Sequence, residues 1–156
     1  MKIIQSVAID PVQKKAIYDL WNKEYPAKLK HEEVKHLDNY LSHLADLEYH
    51  LLTGPSQEVV GWALRFTRNN QPWFAVVIDS NLHGQGHGRR MLEEMKKTTD
   101  ELNGWVIDHN EDLKENGEYY RSPLGFYLKN EFIILPETRL ELEEMSAVAV
   151  RWVNKK

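Results

Sequence analysis

The sequence predicts an α/β fold of the α+β kind. We expect a single mixed, mainly antiparallel sheet of six or seven strands flanked by helices, with a central parallel pair. Apolar and polar residues alternate over 47–53 and 58–67, which indicates half-buried antiparallel strands. The continuous apolar run from Trp73 to Asp79 is typical of a central strand covered on both faces. A helix and another strand follow this run, which implies a right-handed crossover and a parallel pair.

The first part of the chain predicts a short strand and two helices. Residues Lys2 to Ala8 form the strand, Asp10 supplies an N-cap, and Pro11 occupies the first helical position. The helix ends at Tyr25, because a residue before proline is pushed out of helical geometry. A second helix is predicted over 32–44, and its apolar stripe has three- and four-residue spacing: Val34, Leu37, Leu41 and Leu44.

After the central strand, the pattern predicts two helices and three strands. Helices are expected over 86–99 and 122–129, and strands over 105–109, 132–142 and 145–153. Asn103-Gly104 is interpreted as the turn before the strand 105–109, and the charged stretch 110–120 as a long loop. The closing strands could pair across a two-fold axis in a homodimer.

Length and composition predict one globular domain over residues 1–156 and exclude several functions. The chain is 42% hydrophobic, which is more than a disordered protein carries. Its net charge of −4, without a basic stripe, argues against non-specific binding to nucleic acid. It contains no cysteine, so a thiol nucleophile and a cysteine-ligated zinc are excluded. With no apolar run of membrane-spanning length and no signal-like start, we expect a cytoplasmic protein without membrane contact.

A glycine-rich loop predicts an anion site. The residues from His83 to Arg89, in order His83, Gly84, Gln85, Gly86, His87, Gly88 and Arg89, join the central strand to a helix. Glycine lets the backbone approach a ligand, and a helix N-terminus carries about half a positive charge. A tight turn without a ligand is the simplest alternative. A P-loop is excluded because Lys-Ser/Thr is missing, whereas a dinucleotide site remains a rival because Asp108 follows about 20 residues later.

Two segments resemble the GNAT superfamily of N-acetyltransferases. The stretch 76–88 is similar to the family's strand followed by Arg/Gln-x-x-Gly-x-Gly/Ala, and the stretch 125–132 to its Phe-Tyr-x-x-x-Gly-Phe motif. His83 stands where the family usually has Arg or Gln. Glu131 replaces the family's glycine, so the left-handed position is expected at Asn130.

The resemblance implies acetyl-CoA as co-substrate, with no metal, and a primary amine of a small molecule or peptide as acceptor. It implies direct transfer in a ternary complex, with the two parallel strands splayed apart at their ends. The residues implied to bind the coenzyme are Val76, Val77, Ile78, Ser122 and the loop residues His83, Gly84, Gln85, Gly86, His87, Gly88 and Arg89. His83 and His87, four residues apart, do not have the companions of a metal pair.

The resemblance also implies catalytic roles. Tyr127 is expected to protonate the departing thiolate, and the amide hydrogen of Ile78 to stabilise the carbonyl oxygen. Asp108 is the first choice for the general base, before His109 and Asp79. The acceptor pocket is expected around Trp21, Tyr25 and residues 26–31. Two alternatives stay open: an acyl-CoA binding module without catalysis, and a nicotinamide-dependent oxidoreductase.

Overall fold

Seven strands and four helices make up the architecture of residues 1–155, the part of the chain that the structure, a computed structural model, describes. The strands are β1 (Lys2–Ser6), β2 (Ala45–Thr53), β3 (Val59–Arg68), β4 (Gln71–Ile78), β5 (Glu101–Val106), β6 (Ile133–Leu142) and β7 (Met145–Val153). The α-helices are α1 (Pro11–Glu24), α2 (Val34–Ser42), α3 (His87–Lys96) and α4 (Leu124–Lys129).

The strands form one sheet in the order β1-β2-β3-β4-β5-β7-β6. All neighbours in it are antiparallel except β4 and β5, which are parallel. The sequence prediction of a mixed, mainly antiparallel sheet with a central parallel pair is confirmed. None of the helices in residues 1–155 has the length and apolar character needed to cross a bilayer.

The N-terminus of α1 forms as the sequence predicts. The side chain of Asp10 accepts the amide hydrogen of Gln13 (2.7 Å), and the side chain of Gln13 accepts that of Asp10 (2.9 Å). This reciprocal pair satisfies two amides that the first helical turn leaves without partners. The cap fixes where α1 begins and therefore which side chains face the sheet.

The helices cover the two faces of the sheet and form two clusters of buried side chains. Helices α1 and α2 contribute Ile17, Trp21 and Leu37 to one cluster, and α3 and α4 contribute Met91 and Tyr127 to the other. Strand β4 serves both clusters because successive side chains point to opposite faces. The residues facing α1 and α2 are Trp73, Ala75 and Val77, and those facing α3 and α4 are Phe74, Val76 and Ile78.

Strand β5 begins earlier than the sequence indicates, so the expected turn at Asn103-Gly104 is wrong. Asn103 is only 1% exposed, and its side-chain amide donates to the main-chain oxygen of Pro72 in β4 at 3.1 Å. A Cβ on Gly104 would stand 2.8 Å from a ring carbon of Phe74. Both residues therefore lie within β5 and allow it to contact β4 closely. Strand β5 ends at Val106, instead of at His109 as predicted.

The left-handed residue after α4 is Glu131, with φ of 70°, whereas Asn130 has φ of −103°. The expectation that Asn130 would take this conformation is wrong. The amides of Asn130 and Phe132 both donate to the carbonyl of Tyr127, at 3.0 and 3.1 Å. These bonds fix the turn, so the residue between the two donors has to take the positive φ.

Candidate active site

The two parallel strands separate towards their C-terminal ends. A single residue pair, Trp73 with Asn103, joins β4 to β5 in the ladder. On its other side β4 is paired with β3 along its length, and the amide of Asp79 donates to the carbonyl of Val60 at 2.9 Å. Because successive amides of a strand point to opposite sides, the amide of Ile78 points away from β3 and into the gap.

The same alternation applies to the residues before Ile78. The backbone groups of Val76 also point into the gap, where β5 no longer pairs with β4. Those of Val77 point towards β3, where Val77 is in register with Trp62, and its side chain lies in the α1/α2 cluster. The prediction that all three residues present unpaired backbone groups is therefore corrected for Val77.

The loop before α3 leaves a set of amide hydrogens open. Gly84 and Gly86 have φ of 78° and 85°, and no heavy atom of residues 1–155 lies within 4 Å of a Cβ built on either. No side chain in this range caps α3, and the first helical bond runs from the amide of Arg90 to the carbonyl of Gly86 (3.1 Å). The amides of the first turn thus lack intrahelical partners, which makes this end a site for anions.

Gly88 brings α3 and α4 together. A Cβ at this position would lie 2.9 Å from Cζ of Phe126, so a side chain would push the two helices apart. Arg89 and Arg90 extend outward from the same turn and are exposed. A guanidinium nitrogen of Arg90 lies 3.4 Å from Nδ1 of His87. The loop therefore combines open amides with two cationic side chains.

His83 and Ser122 make internal hydrogen bonds. Nε2 of His83 lies 2.8 Å from the carbonyl oxygen of Ile78, and its amide donates to the carbonyl of Ser80. The hydroxyl of Ser122 donates to the carbonyl of Ile107 and accepts from the amide of Leu124 at 3.2 Å. His83 thus anchors the loop to the end of β4, and Ser122 joins the end of β5 to α4. Both side chains thus have partners within the protein, and their contacts with the coenzyme stay predictions.

Of the remaining loop side chains, Gln85 is exposed and His87 is partly buried. The amide nitrogen of Gln85 lies 3.5 Å from the carbonyl of Asn81, which is a weak contact. Within residues 1–155, no group of three or more His, Asp or Glu side chains is arranged to hold a metal ion.

Tyr127 lies in the interior at the inner side of α4. Its side chain is 7% exposed, and its ring packs edge-on against Phe74, Phe126 and Phe132 at centroid distances of 5.6, 5.1 and 5.3 Å. Burial raises the pKa of its phenol well above the usual value. The hydroxyl group is therefore protonated at neutral pH.

Three acidic or basic groups predicted as the general base have other partners. Both carboxylate oxygens of Asp108 accept from the guanidinium of Arg139, at 2.9 and 3.0 Å, and these bonds lower the pKa of Asp108. Asp79 accepts from Lys23 at 3.0 Å, and Nδ1 of His109 accepts the amide hydrogen of Glu111 at 3.1 Å. Asp108, which lies beyond the end of β5, is thus ion-paired with Arg139, and its role as general base stays a prediction.

A buried carboxylate at the same end of the sheet was missed by the sequence interpretation. Glu24, the last residue of α1, is 7% exposed. It accepts the amide hydrogen of Ser80 (2.8 Å) and the ammonium hydrogen of Lys114 (3.2 Å). The sequence did indicate that Glu24 is buried, because it follows Ile17 and Leu20 on the buried stripe of its helix.

The long loop 110–120 lies over the segment that follows α1. The amide of Ala27 donates to the carbonyl of Leu113 at 2.8 Å, and Lys28 pairs with Asp112 at 2.9 Å. Tyr120, at the end of the loop, lies against Tyr25 with ring centroids 6.5 Å apart. Trp21 is a core residue stacked on Trp62 and 8% exposed.

Several solved structures that resemble this chain are acetyltransferases. Aminoglycoside 6'-acetyltransferase type Ii is 15% identical, with TM-score 0.73, covering 98% of this chain and 97% of its own. A GNAT superfamily phosphinothricin acetyltransferase from Sinorhizobium meliloti, in complex with AcCoA, is 10% identical, with TM-score 0.68 and coverage of 99% and 89%. Ribosomal-protein-alanine N-acetyltransferase from Brucella melitensis is 12% identical, with TM-score 0.66 and coverage of 98% and 99%.

No protein-family model matches this chain, and no curated protein sequence matches it. The likeness is therefore one of structure, and it extends over nearly the whole chain. It agrees with the mixed sheet, its single parallel pair and the helices on both faces. The chain has the GNAT acyl-CoA N-acyltransferase fold.

Proposed function

We propose that this protein transfers the acetyl group of acetyl-CoA to a primary amine. The proposal rests on one observation: two sets of unpaired amides lie next to each other. One set begins α3, the other lies in the gap beside β4, and the loop His83–Arg89 joins them. A ligand with a phosphate group at one end and an extended amide-containing arm fits this arrangement.

The loop residues supply the binding site for the pyrophosphate. The amides of His87, Gly88 and Arg89 donate, and the guanidinium groups of Arg89 and Arg90 add positive charge. The open space around Gly84 and Gly86 fits a close approach of phosphate oxygens to the backbone. The backbone groups of Val76 and the amide of Ile78, which point into the gap, are placed to bind a pantetheine arm as an added strand would.

When bound, acetyl-CoA supplies a thioester that an amine can attack directly, without an acyl-enzyme. The amide of Ile78 would donate a hydrogen bond to the carbonyl oxygen, a contribution on the order of 3 kcal/mol in other enzymes. Tyr127 would donate its proton to the departing sulfur, and the proton that the attacking nitrogen loses would pass, directly or through water, to the phenolate.

The architecture argues against the nicotinamide alternative. Dinucleotide folds have a largely parallel sheet, whereas this one has a single parallel pair. Asp108, which would have bound a ribose, is paired with Arg139. An acyl-CoA binding module without catalysis would have the same loop and the same gap. Only a measurement of acetyl transfer distinguishes it from a transferase.

A two-stage experiment tests the proposal. Thermal unfolding is followed with acetyl-CoA, CoA and NAD, and a ligand at 100 times its dissociation constant stabilises the protein by about 2.7 kcal/mol. Release of free thiol is then measured with a panel of small and peptide amines. We expect stabilisation by acetyl-CoA and CoA, none by NAD, and thiol release with at least one amine. Stabilisation without thiol release would favour the binding module, and stabilisation by NAD alone would overturn the proposal.

A further inference from the structure

A buried ion pair between Glu24 and Lys114 lies at the mouth of the gap. The side chains are 7% and 11% exposed, and Oε1 of Glu24 is 3.2 Å from Nζ of Lys114. Taking two charges out of water carries a desolvation cost that largely offsets their attraction. Stability alone is therefore a weak reason for placing this pair inside the protein.

The position of Glu24 relates it to the proposed reaction centre. Its Oε2 atom accepts the amide hydrogen of Ser80 at 2.8 Å. Ser80 follows Ile78 by two residues, so their Cα atoms are at most about 7 Å apart. The carboxylate thus lies beside the C-terminal end of β4, where the free amide of Ile78 is found.

The surroundings leave one oxygen of Glu24 available for exchange. The bond from Ser80 holds Oε2, and Lys23, 3.6 Å from the same oxygen, has its shorter contact with Asp79 at 3.0 Å. Oε1 contacts only the ammonium of Lys114 among the hydrogen bonds and ion pairs of residues 1–155. This oxygen can therefore accept a different ammonium without rearrangement of the helix.

Lys114 can withdraw without unfolding its loop. The loop is held by main-chain bonds: the amide of Lys114 donates to the carbonyl of Glu118 (2.8 Å), and that of Gly117 donates to the carbonyl of Lys114 (2.9 Å). Only the flexible four-carbon side chain of Lys114 reaches Glu24. Its ammonium occupies the position that an ammonium group of another molecule would take.

We propose that Glu24 binds an ammonium group of the acceptor, in place of Lys114, and so selects cationic amines. The inference rests on the proposed acetyl transfer and names its substrate class. Tyr25 and Tyr120, whose rings lie 6.5 Å apart beside this carboxylate, supply apolar walls for the carbon chain of the acceptor. Glu24 is here a binding residue: the nitrogen that it holds stays positively charged, and a second, uncharged amine of the same acceptor attacks the thioester.

Binding of 1,4-diaminobutane in the presence of CoA tests the proposal without any need for turnover, with 1,4-butanediol as the uncharged comparison. Isothermal titration calorimetry is performed on the wild type, Glu24→Gln, Lys114→Met and the double variant, which removes both charges and leaves none buried alone. Lys30→Met is the matched control, because Lys30 pairs with Glu115 of the same loop at 3.1 Å but does not touch Glu24.

We expect the diamine to bind and the diol not to. Glu24→Gln and the double variant should weaken diamine binding at least about tenfold, Lys114→Met should strengthen it about threefold, and Lys30→Met should leave it unchanged. The proposal would be overturned if Lys114→Met and Lys30→Met changed the affinity equally, or if the double variant bound the diamine as tightly as the wild type. It would also be overturned if neither the wild type nor Lys114→Met bound the diamine.

The outcomes separate this inference from the proposed function. Binding of the diamine that depends on Glu24, without thiol release from acetyl-CoA, would contradict the transferase and retain the ammonium site. Thiol release with a KM for the diamine that Glu24→Gln leaves unchanged would support the transferase and contradict the ammonium site.

Discussion

Asp108 and Arg139 form a two-bond ion pair between the end of β5 and strand β6, with donor–acceptor distances of 2.9 and 3.0 Å. We expect Asp108→Asn to change kcat by less than about threefold, because two hydrogen bonds from Arg139 and a lowered pKa make this carboxylate a weak proton acceptor. The pH profile of kcat/KM measures this directly. Loss of its acidic limb in the variant would restore Asp108 as a candidate base.

Tyr127→Phe should lower kcat about 100-fold, the typical contribution of a positioned acid. The aromatic cluster around Tyr127 retains its shape, because phenylalanine fills the same space, so the KM for acetyl-CoA should change little. Tyr119→Phe serves as control, since Tyr119 is 64% exposed. Equal kcat in the two variants would eliminate the phenol as proton donor.

Gly86→Ala should weaken acetyl-CoA binding about tenfold, which corresponds to about 1.4 kcal/mol. The reason is that φ of 85° strains any side-chain-bearing residue, so the loop shifts its amides. Gly117→Ala is a matched control, because Gly117 has φ of 86° and also has open space around its Cβ position. Titration of CoA into both variants gives the comparison. Similar stability losses with unequal affinities would support the loop as the binding site.

Stability should fall in mild acid because of His50. Its side chain is 1% exposed, neither ring nitrogen has a hydrogen-bond partner in residues 1–155, and burial lowers its pKa from 6.5. A group whose pKa is lower in the folded state binds its proton more readily in the unfolded chain. The free energy of unfolding is therefore unaffected above pH 6.5 and falls below it, by up to about 1.4 kcal/mol per pH unit.

His50→Leu should flatten that dependence. Urea unfolding at several pH values between 5 and 7.5 gives the slope for each protein, and we expect a smaller slope in the variant. Equal slopes would show that other groups cause the acid sensitivity.

Glu131→Gly should stabilise the fold by up to about 1 kcal/mol, because glycine adopts positive φ without the steric cost of a side chain. Asn130→Gly is the control and should destabilise, since Asn130 is not left-handed. Thermal unfolding of the two variants compares them, and a gain at position 130 alone would contradict the assignment of the turn.

The sequence predicted the elements whose patterns are local. The alternation of apolar and polar residues predicted β3, the continuous apolar run predicted β4, and the glycines of the loop predicted the start of α3. All three predictions lie within a few residues of the observed bounds. These features depend on the backbone preferences and burial of neighbouring residues. For the same reason the anion-binding end of α3 could be recognised before any tertiary contact was known.

The errors arise where distant residues decide the structure. Asparagine is common in turns, yet the side-chain amide of Asn103 lies inside the sheet and donates a hydrogen bond to a carbonyl of β4. The ion pair of Asp108 with Arg139, 31 positions later, likewise could not be foreseen from the position of Asp108 at a strand end. Glu24 was overlooked because Lys114 and Ser80, which make its burial tolerable, lie far along the chain.

The lone main-chain pairing between Trp73 and Asn103 divides the sheet into two ladders, one of four strands and one of three. Side chains that span the divide, such as Phe74 from one half and Val150 from the other, have to supply the cohesion that hydrogen bonds provide elsewhere. At this junction the buried side chains, and not a continuous hydrogen-bond ladder, therefore hold the two halves of the sheet together.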